Sequence, residues 1–178
     1  PPNTGKPRGV GSHPHRGFET VTIAFQGEVE HGDHLGNSGV IGPGDVQWMT
    51  AARGIVHNEF HSKDFSSRGG VFEMCQLWVN LPAKDKMNPP RYQPINSSEI
   101  TSSPLFTSSE GQCAPADPSE GSVRVIAGKF HDAVGPAKTH TQIDMWDIRF
   151  DDLEGKEYEF ETVKGNNVLI FVRKGGVE

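Results

Sequence analysis

The stretch VFEMCQLWVNL, residues 71–81, limits the possible folds more than any other. In an extended strand, successive side chains point to opposite faces. Phe72, Met74 and Trp78 fall on one parity, and Val71, Cys75, Leu77 and Val79 on the other. Neither face is cleanly polar, so the strand needs cover on both sides, as in the interior of a β-sandwich or closed barrel. The chain before it is punctuated to match. FETVTIAFQGEVEH (18–31) mixes β-branched and aromatic residues, with a turn at Gly27. VIGPGDVQWMTA (40–51) places a Pro43-Gly44-Asp45 turn before a strand, and GIVHNEF (54–60) reads as another strand. HGDHLGNSG (31–39) and SKDFSSRGG (62–70) read as loops by composition.

The same pattern resumes after an interruption. PAKDKMNPPRYQPI (82–95) is a proline-rich surface crossing, and the Ser-, Gly- and Pro-rich run 96–122 reads as a connection with a short helix near Ser98. VRVIAGKF (123–130), TQIDMWDIRF (141–150), KEYEFETV (156–163) and NNVLIFVRKG (166–175) are further expected strands. The organisation expected is a first domain over 1–95, a linker over 96–120 and a second β region over 121–178. With 21 glycines and 13 prolines, turns and short strands are favoured over helices, and no amphipathic helix longer than about 12 residues stands out. The opening PPNTGKPRGV and the close on a Gly-Gly turn lead to the expectation that the chain is part of a longer one.

Charge and cysteine content narrow the function. A net charge of −6 argues against direct nucleic-acid binding, which needs an excess of Lys and Arg to neutralise phosphate. No apolar run approaches a membrane span in length. Cys75 and Cys113 are far apart and lack both disulfide-framework and zinc-finger spacing, so free thiols in a reducing cytosol are expected.

The chemistry concentrates in two short motifs. Residues i and i+2 of a strand share a face, so His13 and His15 project together, as do His57 and Glu59. A lone His-x-His is more often a surface or packing feature. Two such pairs on neighbouring strands would bring three imidazoles and a carboxylate around one point. That mixed nitrogen and oxygen set suits a first-row transition metal and leaves two of six octahedral positions open. Iron is the first choice, with manganese, nickel, copper and zinc as alternatives. Glu19 has the parity of His13 and His15 if the strand is unbroken, as a further ligand or an acceptor for an imidazole N–H. Gly54 allows a bend before His57, and Arg53 is placed in the outer shell. His31 and His34 flank a Gly-Asp loop and are expected in solvent. His61 lies off the motif, and His131 and His140 have no partner at ligand spacing.

HPHRGFETV (13–21), GDVQWMTAARGIVHNE (44–59) and LWVNL (77–81), in this order and spacing, resemble the pirin family of the cupin superfamily. The resemblance extends from Gly11 to Gln93 and continues more weakly through VRVIAG and MWDIRF. It implies an all-β bicupin, two tandem jelly-roll β-barrels, the first holding one iron (Fe2+/Fe3+) on His13, His15, His57 and Glu59. The second barrel, incomplete over these residues, is implied to lack a metal site. Some pirins resemble flavonol dioxygenases that open quercetin with O2 and release carbon monoxide, which implies Glu59 as catalytic base and a flavonol and O2 as partners. Phe18, Trp48 and Met49 are then expected in the pocket wall. Other pirins resemble metal-dependent regulators that bind a transcription factor or a metabolic enzyme, which makes a protein partner the alternative. A cytoplasmic location is expected, or a nuclear one in a eukaryote.

Overall fold

The computed structural model of the chain describes residues 8–105, 121–151 and 158–176. Eight strands build the first unit: β1 (Gly9–His15), β2 (Phe18–Gln26), β3 (Val29–Asp33), β4 (Ser38–Ile41), β5 (Val46–Thr50), β6 (Ile55–His61), β7 (Glu73–Asn80) and β8 (Arg91–Ile95). They form two four-stranded antiparallel sheets, ordered β1-β6-β3-β4 and β7-β2-β5-β8. Side chains of the second sheet reach the first directly, for Gln47 and Gln76 both donate to Glu59. This is the all-β, cupin-type jelly roll expected from the sequence.

The double-faced apolar character of residues 71–81 has a physical cause here. The sheet containing β7 has side chains packed on both faces, although β7 itself is only half-buried and Val71, Phe72 and Trp78 are exposed. One face, carrying Thr20, Thr22, Gln47, Met49 and Gln76, looks into the first unit. The other packs Val21, Ile23, Val46, Trp48 and Ile95, with Leu77 and Val79, against Ile100, Ile126 and Ala127 of the following region. Trp48 is fully buried at this junction.

That region begins inside the stretch read as a connection. β9 (Thr101–Pro104) pairs with β10 (Gly121–Ala127), which also pairs with β13 (Met145–Phe150). The short pair β11 (Lys129–Phe130) and β12 (Ala133–Val134) completes the described strands. Leu105, Val123, Val125, Phe130 and Ala133 form a separate small core with Trp146 and Ile148. The helix expected near Ser98 is a 3-10 turn at Ser97–Glu99, closed by reciprocal hydrogen bonds between Asn96 and Glu99.

Three local expectations are corrected. His31 lies within β3, because the loop is confined to residues 34–37. Asp33 accepts the backbone N–H groups of Leu35 and Asn37 and so tightens that turn. Residues 62–70 hold a helix, α1 (Lys63–Arg68), capped by the Ser62 hydroxyl, which accepts from Phe65 N at 3.0 Å. The described parts of 156–163 and 166–175 carry no strand. They lack a ladder partner among the described residues, and Val168, Leu169, Ile170 and Phe171 are exposed. Cys75 is a free thiol, and Cys113 lies outside the described residues.

Candidate metal centre

The inner face of the β1-β6-β3-β4 sheet carries the titratable cluster. Register sets it: His13 lies opposite His57, Asp33 opposite His57 on the other side, and His31 opposite Glu59. Directly opposed residues share a face, as do residues two apart on one strand. The β1–β2 corner and the β5–β6 turn are tied together by Gly17 N to Ala52 O (2.7 Å) and Ala51 N to Phe18 O (3.0 Å). Gly54, at φ 141°, supplies the bend before β6 that the sequence suggested.

Donor atoms of His13, His15 and His57 lie within 4.8 Å of one another. Glu59 falls in a second group of the same tightness, with His57 and His31. The structure thus brings the three expected imidazoles together, and it groups Glu59 with His57 and His31 rather than with His13 and His15. The carboxylate is held from the facing sheet: Gln47 Nε2 donates to Oε1 at 2.9 Å, and Gln76 Nε2 to Oε2 at 2.8 Å.

These residues fit a bound metal ion. His13 Nδ1 is 2.8 Å from Gly11 O, a carbonyl that can only accept, so the proton sits on Nδ1 and the lone pair on Nε2. The Nε2 atoms of His13 and His15 face each other at 3.1 Å. Two nitrogens bound at a right angle to one ion, each ~2.1 Å from it, would lie about 3 Å apart. His57 Nε2 is buried with no hydrogen-bond partner, a costly arrangement for a polar atom without a ligand.

The electrostatics keep the lone pairs available. Burial first, then the neighbouring His13, His31 and His15, pushes the His57 pKa down to about 3. Burial, then His13, lowers His15. Burial lowers His31 too, against the opposing pull of Asp33. Neutral imidazoles are the form that ligates metals.

The other expected residues are distributed as follows. Glu19 is buried, but the chain breaks at Gly17 between β1 and β2, so Glu19 belongs to the other sheet. There it accepts from the Thr50 hydroxyl. Arg53 is exposed, and its backbone bonds to Asn88. Phe18 flanks the site, its ring 5.0 Å from that of His15 and 4.8 Å from that of Trp78, which is 66% exposed. Met49 packs with Ile55 and Tyr92 on the inward side. Trp48 is not in the pocket wall: its strand parity turns it to the opposite core. His34 is exposed as expected, and His61 packs against Phe65 and Phe72. His31 is the residue that sequence reasoning missed. It is 1% exposed and stacks on Tyr92 at 4.4 Å. Its spacing to Asp33 is the same i, i+2 relation that singled out the other two pairs.

Among the described residues, no helix is long and apolar enough to cross a membrane. Residues 2–79 match the family model described as Pirin. A Pseudomonas aeruginosa protein named "Putative quercetin 2,3-dioxygenase" is 51% identical over 94% of this chain and 54% of its own length. Mouse pirin is 35% identical over 97% of this chain and 53% of its own. A crystal structure of quercetin 2,3-dioxygenase from Acinetobacter baumannii superposes with a TM-score of 0.73 at 51% identity, covering 82% of this chain and 46% of that one. The chain spans about half the length of the curated relatives it matches.

Proposed function

We propose that this chain, whose residues 2–79 match the pirin family model, is a mononuclear iron protein with quercetin 2,3-dioxygenase-type activity. The proposed ligands are His13, His15, His57 and Glu59, with manganese, nickel, copper or zinc as alternative ions. Residues 1–95 would form the metal-binding domain and 121–178, together with β9, part of a second cupin domain, with the rest of 96–120 as the connection. The observation that carries this reading is the meeting of three imidazoles, one with an orphaned Nε2, beside an aromatic rim, with Glu59 sharing His57 in an adjoining group.

When bound, the ion would supply Lewis acidity that lowers the pKa of a flavonol hydroxyl. Glu59 then accepts the hydroxyl proton. Each of its oxygens has a lone pair beyond the one engaged by Gln47 or Gln76, so one oxygen could hold the ion and the other take that proton while the two amides keep the carboxylate in place. Phe18 and Trp78 offer ring faces to a planar aromatic substrate. The activity would open the flavonol ring with O2 and release carbon monoxide.

The test is to load the intact protein with Fe(II) and follow quercetin loss together with carbon monoxide release, with His57→Ala as control. Turnover that disappears in the variant is the expected result. One equivalent of iron bound without carbon monoxide would overturn the enzymatic reading. It would favour a metal-dependent regulator of a transcription factor or metabolic enzyme, a role supported by the exposed Trp78 ring 5.5 Å from His15, where a protein partner would touch the site.

A further inference from the structure

His57 presents two nitrogens, and only one can carry the proton when the ring is neutral. For His13 a carbonyl decides the matter locally. For His57 it does not, because Nδ1 faces another imidazole: His31 Nδ1 lies 3.3 Å away, and either ring could donate. The direction is set one residue further out. His31 Nε2 lies 3.5 Å from Asp33 Oδ2, and both side chains are fully buried. The Asp33 carboxylate already accepts on both oxygens. Oδ1 takes the N–H groups of Leu35 (2.9 Å) and Asn37 (3.0 Å), and Oδ2 takes Asn37 Nδ2 (2.8 Å). A carboxylate so surrounded by donors is an acceptor, so His31 places its proton on Nε2. Its Nδ1 then bears a lone pair and accepts from His57 Nδ1–H. The His57 Nε2 lone pair is thereby left free, and Nε2 is the atom that the protein buries without a partner.

We infer that His31 and Asp33 form a hydrogen-bonded relay that fixes the metal-binding tautomer of His57 and strengthens its Nε2 as a ligand. The inference rests on the reading of His57 as a ligand. His31 and Asp33 are positioning residues, acting through His57. The relay is rigid at each step: Asp33 is pinned by its own turn, and the His31 ring is stacked nearly parallel to Tyr92, at 12°. Comparable outer partners of ligating histidines typically change metal affinity by ~10–100-fold when removed.

Two measurements on the intact protein test this. The first is the 15N spectrum of the His57 ring in metal-free protein, which reports the tautomer directly. The Nδ1–H form is expected. An Nε2–H form would overturn the relay, and would point the lone pair of Nδ1 toward an ion held by His31 and Glu59 instead. The second is Co(II) affinity, by competition with a chelator, in the parent, His31→Leu, His31→Gln and His57→Ala. Glutamine can accept from His57 with its carbonyl and donate to Asp33 with its amide. The expected result is a 10–100-fold loss in His31→Leu, with one-to-one stoichiometry kept and most of the loss recovered in His31→Gln. Affinity within threefold of the parent in His31→Leu would overturn the relay and leave the ligand reading intact. Parental affinity in His57→Ala would overturn both. The tautomer measurement needs no variant, so it decides the relay even where His31→Leu fails to fold.

Discussion

The two amides that hold Glu59 differ in burial and in their other partners, and these differences predict unequal costs of removing them. Gln47 is fully buried, donates to Glu59 Oε1 and accepts from the Tyr92 hydroxyl at 3.3 Å. Gln76 is half-buried; it donates to Oε2 and to Thr22 Oγ1 and accepts from the exposed Trp78 indole, contacts that solvent can replace. Replacing Gln47 with leucine keeps the volume but strips a buried carboxylate oxygen of its donor. A hydrogen bond to a charged group contributes ~1.5–3 kcal/mol, and the lost Tyr92 contact adds ~1 kcal/mol. Leucine's greater apolar burial returns part of this, leaving a net loss of about 2–3 kcal/mol in Gln47→Leu. In Gln76→Leu, the half-buried position of residue 76 should let water take the place of the amide, so the loss should stay under about 1 kcal/mol. Equilibrium unfolding in denaturant, with chelator present to remove metal, measures both. Equal losses, or a Gln47→Leu loss below ~1 kcal/mol, would refute the claim that burial governs how strongly Glu59 depends on each amide.

Other consequences can be checked in the same way. Trp48→Ala empties the junction between the β7-β2-β5-β8 sheet and the following region, and should cost ~3–5 kcal/mol by denaturant unfolding; a cost below ~1 kcal/mol would show the two are not packed as described. His57 has a folded pKa of about 3 against 6.5 unfolded, so between these values the unfolded chain binds a proton that the folded chain does not. The stability of metal-free protein from this group is therefore complete above pH 6.5 and is lost as pH falls toward 3, by on the order of a few kcal/mol. His57→Phe should flatten that dependence, and identical pH slopes in parent and variant would count against it. Ser62→Ala removes the cap of α1 and should cost ~0.5–2 kcal/mol, with no change in metal affinity as the specificity check.

The two motifs that identified the site were legible because a strand period of two is simple geometry. His-x-His and His-x-Glu each declare a shared face without knowledge of the partner strand. His31-x-Asp33 carries the same signal. It was hidden because Gly32, Asp33, Gly36 and Asn37 are turn formers, and composition does not reveal that the turn begins only after Asp33. Pairing with β6 decides that boundary, and it is a tertiary fact. Glu19 shows the converse: its parity with His15 means nothing once Gly17 breaks the strand. Trp48 and Met49, adjacent in one strand, cannot both line one wall, and alternation alone was enough to exclude one of them. The failed strands at the end of the described chain have apolar residues in plenty, but a strand also needs a neighbour for its backbone groups.

The most direct measurement is a titration of metal-free intact protein with Fe(II), with X-ray absorption on the loaded sample, repeated for His13→Ala, His15→Ala, His57→Ala and Glu59→Ala. The expected result is one ion per chain with imidazole scattering from three histidines in the parent, and weakened binding in each variant. One ion bound as tightly in His13→Ala and His15→Ala as in the parent would contradict the proposed centre.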